Sequence, residues 1–146
     1  MGFILNKPLE INLNDIHPKI NKKFRIHFGG PVAKDTLFCL HNSELKLKSS
    51  RKVTENLSYG CDIDEIITKS KSGVLNEDNI MFFLGYSGWT KNQLLDEISE
   101  NYWKINKNYS KNIFERREEN LWKWIMKKMG GDSYIWSNAP ENLQDN

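Results

Sequence analysis

The sequence predicts one α+β domain, on three observations. Short apolar runs alternate with polar residues at the period of a strand, as in "KKFRIHFGG", where Phe24, Ile26 and Phe28 share one face. Other segments carry helix-start chemistry, "CDIDEII" and "TKNQLLDEI" among them. No repeat or low-complexity linker divides the 146 residues, a length suited to a single core that needs neither disulfide nor metal to fold.

In chain order, "GFILNKPLE" reads as a strand closed by a turn at Asn6-Lys7-Pro8. A short helix is expected over 12–19, stopped by Pro18. The alternating strand through Phe28 follows, with Arg25 and His27 on its other face. Gly29-Gly30-Pro31 breaks it, and "TLFCLH" is the next strand. Residues 42–58 are polar and irregular, with a weak strand near Val53.

Asp62 is placed to cap a helix, Glu65 to reach back to it, and Gly73 to supply the left-handed residue after that helix. The apolar run from Ile80 is a strand that ends in Gly85-Tyr86-Ser87-Gly88-Trp89. A helix over 91–101 follows, with Thr90 and Gln93 as a capping box and Trp89 stapled onto Leu94. "NYWKIN" reads as a short strand. The last strong helix covers 118–129, with Leu121, Trp122, Ile125 and Met129 on its core face and Gly130-Gly131 as its stop. An irregular tail is expected from Ser137.

Composition narrows the function. A net charge of +2 steers no polyanion, and the 17 lysines and 17 asparagines are dispersed rather than gathered on one element, so direct DNA binding is not expected. No run approaches the ~20 apolar residues of a membrane span. Cys39 and Cys61 have no CxxC spacing, suit a reducing cytoplasm, and read as small buried hydrophobes. Cys39 and His41 share a strand face, but two ligands are too few for a structural zinc site. Asp62, Asp64 and Glu65 are accounted for by capping, so no metal or cofactor is expected.

The serine corner can be tested against known chemistry. A hydrolase elbow is G-x-S-x-G, because the position two after the serine must tolerate a cramped turn. Here Gly88 comes one place early and Trp89 fills the required position, while His17, His27 and His41 all precede Ser87. The cap and staple explain Trp89, Thr90 and Gln93 more fully than a nucleophile does. The remaining alternatives are an unrecognised hydrolase or transferase using Ser87 or His41, and a small-anion site in the Gly85–Trp89 corner. Trp124, among Lys123, Lys127 and Lys128, is a candidate partner contact.

Taken in order, "GFILNKPL", "FGGPV", "LFCLH", "GCDIDEI", "FFLGYSGWTKNQLLDEI" and "LWKWIMKKMGG" resemble the YqgE/AlgH family of bacterial proteins over nearly the whole chain. That resemblance implies a curled mixed or antiparallel sheet, a partial barrel, flanked by helices. It implies a cytoplasmic protein without established enzymatic activity, some relatives of which are labelled transcriptional regulators. Family members place further strands ahead of the segment matching "GFILNKPL". The resemblance therefore implies an N-terminally truncated form of the domain spanning 1–146, with Phe3, Ile4 and Leu5 on an exposed edge. The resulting expectation is a non-enzymatic regulatory or interaction module. It would bind a protein or small ligand through Gly29, Gly30 and Pro31 together with Gly85, Tyr86, Ser87, Gly88 and Trp89.

Overall fold

The computed structural model describes residues 1–107, 113–114 and 120–137, and its described residues form an α+β arrangement around one open sheet. The strands are β1 (Pro8–Asn12), β2 (Arg25–Phe28), β3 (Val32–Asn42), β4 (Arg51–Lys52), β5 (Leu57–Tyr59) and β6 (Ile80–Tyr86). Their order across the sheet is β1-β2-β6-β3-β5-β4. Only β2 and β6 run parallel, and the other pairings are antiparallel, so the sheet is mixed. The helices are α1 (Leu13–Ile16), α2 (Ile63–Lys71), α3 (Gln93–Ser99), α4 (Leu121–Met129) and α5 (Asp132–Trp136).

Both faces of the central strands are covered. Alternation along β6 sends Ile80 and Phe82 to one side and Phe83 to the other, and all three are buried. The first side is closed by Leu13 of α1, Ile66 of α2, and Phe24, whose ring meets Phe82 edge-on at 5.5 Å. On the second side Phe83 packs with Leu40 and Leu57 under Phe3, Leu5, Ile113 and Phe114. Each buried phenylalanine contributes about 1.5–3 kcal/mol from transfer alone.

That double cover also buries His27, on the face opposite Ile26 where the alternation places it. His27 is 2% exposed, and its ring lies 5.6 Å from Phe83. Phe3, Ile4 and Leu5 are likewise half-buried rather than on an exposed edge, and Phe3 stacks on Phe83 at 4.8 Å.

Several element boundaries also move. The strand expected before Asn6 reduces to a bridge between Gly2 and Ser87 and an Ile4 N–H to Gly29 carbonyl bond. The regular strand is β1, where a turn and a helix start were expected. Pro8 is tolerated there because it opens an edge strand. β3 begins at Val32, five residues before Leu37, yet Val32 pairs with Tyr86 and Leu37 with Leu84. The surplus residues bulge out around Ala33, whose φ is +49. The polar stretch near Val53 carries the two short strands β4 and β5 on either side of it.

The Asp62 cap is present, accepting from the N–H groups of Asp64 and Glu65 at 3.0 and 3.1 Å. Glu65 does not reach back to it; its carboxylate accepts the Lys48 N–H at 2.9 Å instead, because a neighbouring turn presents that donor. "NYWKIN" forms no strand, and Tyr102, Trp103 and Ile105 are exposed. On α4, Leu121 is buried but Trp122 is 43% exposed, while Trp124 is half-buried with the Lys128 ammonium 4.4 Å from its ring centre. Of the expected core face, Leu121 is buried and Ile125 and Met129 are half-buried, so Trp122 is the exception, and α5 packs against α4 directly after Gly130-Gly131. Residues 118 and 119 of the expected helix, and the tail from 138, lie outside the described residues.

Candidate functional site

The two glycine corners, separated by over fifty residues in the chain, meet in space. β2 and β6 run parallel and end together, so both turns leave the same end of the sheet. Gly29 donates to the Leu84 carbonyl at 2.8 Å. A Cβ built on Gly29 would lie 2.1 Å from the Gly85 carbonyl oxygen, and one on Gly30 would lie 2.2 Å from the Tyr86 carbonyl carbon. Gly85 has φ +73, and its Cβ would fall 2.5 Å from the Gly30 carbonyl oxygen. The glycines therefore let one backbone cross another at a distance no side chain allows.

Beyond that crossing the chain is tied again. The Ser87 N–H donates to the Gly2 carbonyl at 2.9 Å, and the Gly2 N–H returns to the Ser87 carbonyl at 2.8 Å. Tyr86 meets Phe38 edge-on at 5.5 Å and lies beside Gly88, while Pro31 is exposed at the rim.

The register separates Ser87 from the histidines. His41 pairs with Ile80, at the opposite end of β6. At about 3.3 Å per residue, that places His41 roughly 20 Å from Ser87. The Ser87 N–H, a candidate donor to an anion, is occupied by Gly2. The helix after the corner begins only at Gln93, whereas an elbow serine stands directly against its helix.

From Trp89 onward the corner gains a side-chain clamp. The Glu97 carboxylate accepts the indole N–H of Trp89 at 3.0 Å and of Trp103 at 2.7 Å, both on Oε2. Its Oε1 accepts from the Gln93 amide at 2.9 Å, and the Gln93 carbonyl takes the Thr90 N–H at 3.2 Å. The two indoles meet edge-on at 5.6 Å. The Trp103 indole first, with Gln93 and Trp89 adding to it against some desolvation, holds the Glu97 carboxyl below its usual range. Half of the expected capping box is therefore formed, but Asn92 takes the cap position and Leu94 is exposed. Trp89 is held by Glu97 and Trp103 and lies against Gly2.

Glu97 and Trp103 had no role in the sequence reading. Gln93 and Glu97, four apart on one helix, were a detectable pair. Trp103 lies past the end of α3, where no periodicity applies. Trp124, on α4, makes its ring contact with Lys128 of its own helix.

A second feature is an open cleft of about 680 Å³ lined by Lys48, Ser49, Asp62, Asp64, Glu65, Thr68 and Lys69. Two of its three acids are engaged locally, Asp62 as the cap of α2 and Glu65 on the Lys48 N–H. Among the described residues no three His, Cys, Asp or Glu side chains are gathered so as to hold a metal ion. No helix among them is long and apolar enough to cross a membrane.

The AlgH-like family model matches residues 1–134, which include both corners, the clamp and α4. The chain belongs to the AlgH-like family. Relatives of this AlgH-like chain include a UPF0301 protein of Cytophaga hutchinsonii, 36% identical over 141 residues, 95% of this chain and 78% of the relative. Another, from Bacteroides fragilis, is 36% identical over 143 residues, 97% of this chain and 72% of the relative. Among solved structures, the AlgH protein of Pseudomonas aeruginosa superposes with a TM-score of 0.69 at 23% identity, covering 97% of this chain and 78% of that one. Protein DIP2367 of Corynebacterium diphtheriae gives 0.70 at 14% identity over 94% of this chain and 74% of that one. At those identities the two structures speak for the AlgH-like fold alone. The family is one of uncharacterised proteins, without an established activity.

Proposed function

We propose that this AlgH-like protein is a non-enzymatic regulatory module of the cytoplasm that binds a protein partner through α3 and the segment after it. One observation carries the reading. Leu95, Tyr102, Trp103 and Ile105 are 64%, 74%, 44% and 53% exposed, and Glu97 fixes Trp103 against Trp89. Aromatic side chains already immobilised lose little entropy on binding, which is what an interface anchor requires. The crossing of Gly29, Gly30 and Pro31 with the Gly85–Trp89 corner sets where this face leaves the sheet. The exposed carboxylates of Asp96 and Glu100 border it, which favours a partner that presents an apolar side chain among basic groups.

The test is site-specific photocrosslinking in living cells. A crosslinker at Leu95 or Tyr102 is expected to trap one protein, one at Lys52 is expected to trap none, and Trp103→Ala is expected to abolish the adduct. Equal labelling from all three positions would defeat the reading. So would stoichiometric reaction of Ser87 with an active-serine probe, which would make the corner catalytic.

A further inference from the structure

The two cysteines are 22 positions apart in sequence and pack on one core cluster in the fold. Cys39 lies on β3 and points into the core, fully buried. Its neighbour β5 pairs Tyr59 with Leu40, and the Gly60 N–H donates to the Cys39 carbonyl at 2.9 Å. Had the strand continued, alternation would have sent Cys61 to the face opposite Gly60, and hence away from Cys39. Gly60 instead has φ +100, which turns the chain as it leaves the sheet. Cys61 consequently packs against the same core cluster as Cys39, one residue from the Gly60 that is hydrogen-bonded to the Cys39 backbone. Both are free thiols, Cys39 buried and Cys61 partly open to solvent.

We propose that Cys39 and Cys61 form a peroxide-sensitive dithiol, which closes reversibly to an intramolecular disulfide tying β3 to the residue before the α2 cap. The asymmetry of the pair sets the order of events. Cys61 reaches solvent, so it meets the oxidant first. Its thiolate attacks one oxygen of hydrogen peroxide, the O–O bond breaks, and with one proton the other oxygen leaves as water, giving Cys61 sulfenic acid. The Cys39 sulfur then attacks the Cys61 sulfur. The S–S bond forms, the S–O bond breaks, and the hydroxyl departs with the Cys39 proton as a second water. Two thiols and one peroxide thus yield one disulfide and two waters. Burial holds the Cys39 thiol in its protonated, unreactive form, so without a sulfenic acid beside it Cys39 stays reduced. A dithiol of this kind suits a reducing compartment, where disulfides are transient and serve sensing.

The experiment uses the full chain, reduced and then exposed to hydrogen peroxide, with intact mass, peptide mapping and denatured thiol counts. Wild type is expected to lose both thiols together, fall by about two mass units and give one peptide pair joining Cys39 to Cys61. Its thermal midpoint should rise, and a dithiol reductant should restore the starting value. Cys61→Ser is expected to leave Cys39 unmodified and its midpoint unmoved by peroxide. Cys39→Ala is expected to leave a Cys61 sulfenic acid that a dimedone probe captures. The proposal is overturned if wild type keeps both thiols. It is equally overturned if Cys61 alone proceeds to sulfinic acid, or if the disulfides formed are only between molecules.

Discussion

Ser87 and Gly2 exchange both of their backbone hydrogen bonds, at 2.9 and 2.8 Å, so the serine at the centre of a nucleophile-like corner is held as part of a sheet margin. The pairing binds the first residues of the chain to the end of β6, and it leaves Trp89 lying over Gly2. The corner is built by backbone contacts, and its stability should respond accordingly.

Gly85→Ala is expected to cost at least ~2 kcal/mol in urea unfolding. It combines a left-handed backbone angle with a Cβ driven onto the Gly30 and Val32 carbonyl oxygens. Gly73 has nearly the same angle, φ +74, but a Cβ there would meet no atom within 4 Å. Gly73→Ala should therefore cost only about 1 kcal/mol, and equal losses for the two would show that the crossing contributes nothing.

Phe82→Ala and Phe83→Ala should each destabilise by about 3–5 kcal/mol, although adjacent strand residues ordinarily differ sharply in burial. Both rings are fully buried, on opposite faces of β6. A loss below ~1 kcal/mol for either in equilibrium unfolding would mean that its face is open in solution.

The Glu97 carboxyl is held below its ordinary value of 4.5 by Trp103, Gln93 and Trp89. Folding thus favours the ionised form, so the clamp's contribution is complete above pH 4.5 and is lost as pH falls through the lower folded value. Tryptophan fluorescence or near-ultraviolet dichroism should report a transition below pH 4.5 that Glu97→Gln removes. An unchanged titration in that variant would exclude the clamp as its source.

The two expected helix caps should differ. Asp62→Ala should cost about 1 kcal/mol, because its carboxylate takes two N–H groups at the start of α2. Thr90→Ala should stay within about 0.5 kcal/mol, since Asn92 holds the cap position of α3. A larger loss at Thr90, by thermal or urea unfolding, would mean that its hydroxyl caps α3 after all.

Part of the local chemistry was legible from neighbours in sequence, although the Glu65 reach-back and the Trp89–Leu94 staple did not form. The Asp62 cap, the turn at Gly73, the strand from Ile80 and the α+β class follow from short-range patterns, as does the failure of Gly85-Tyr86-Ser87-Gly88-Trp89 as a hydrolase elbow. Pairing across the sheet was not legible. Nothing in a single chain tells that Gly29 and Gly85 need to be glycine for one another, that Gly2 closes on Ser87, or that Trp103 shares a carboxylate with Trp89. The burial of His27 depends on a second layer over the sheet, and the packing of Cys39 and Cys61 on one core cluster depends on a single turn at Gly60. Periodicity records which way a side chain points from its own strand or helix. What stands at that point is decided by register and layer packing, which join residues dozens of positions apart.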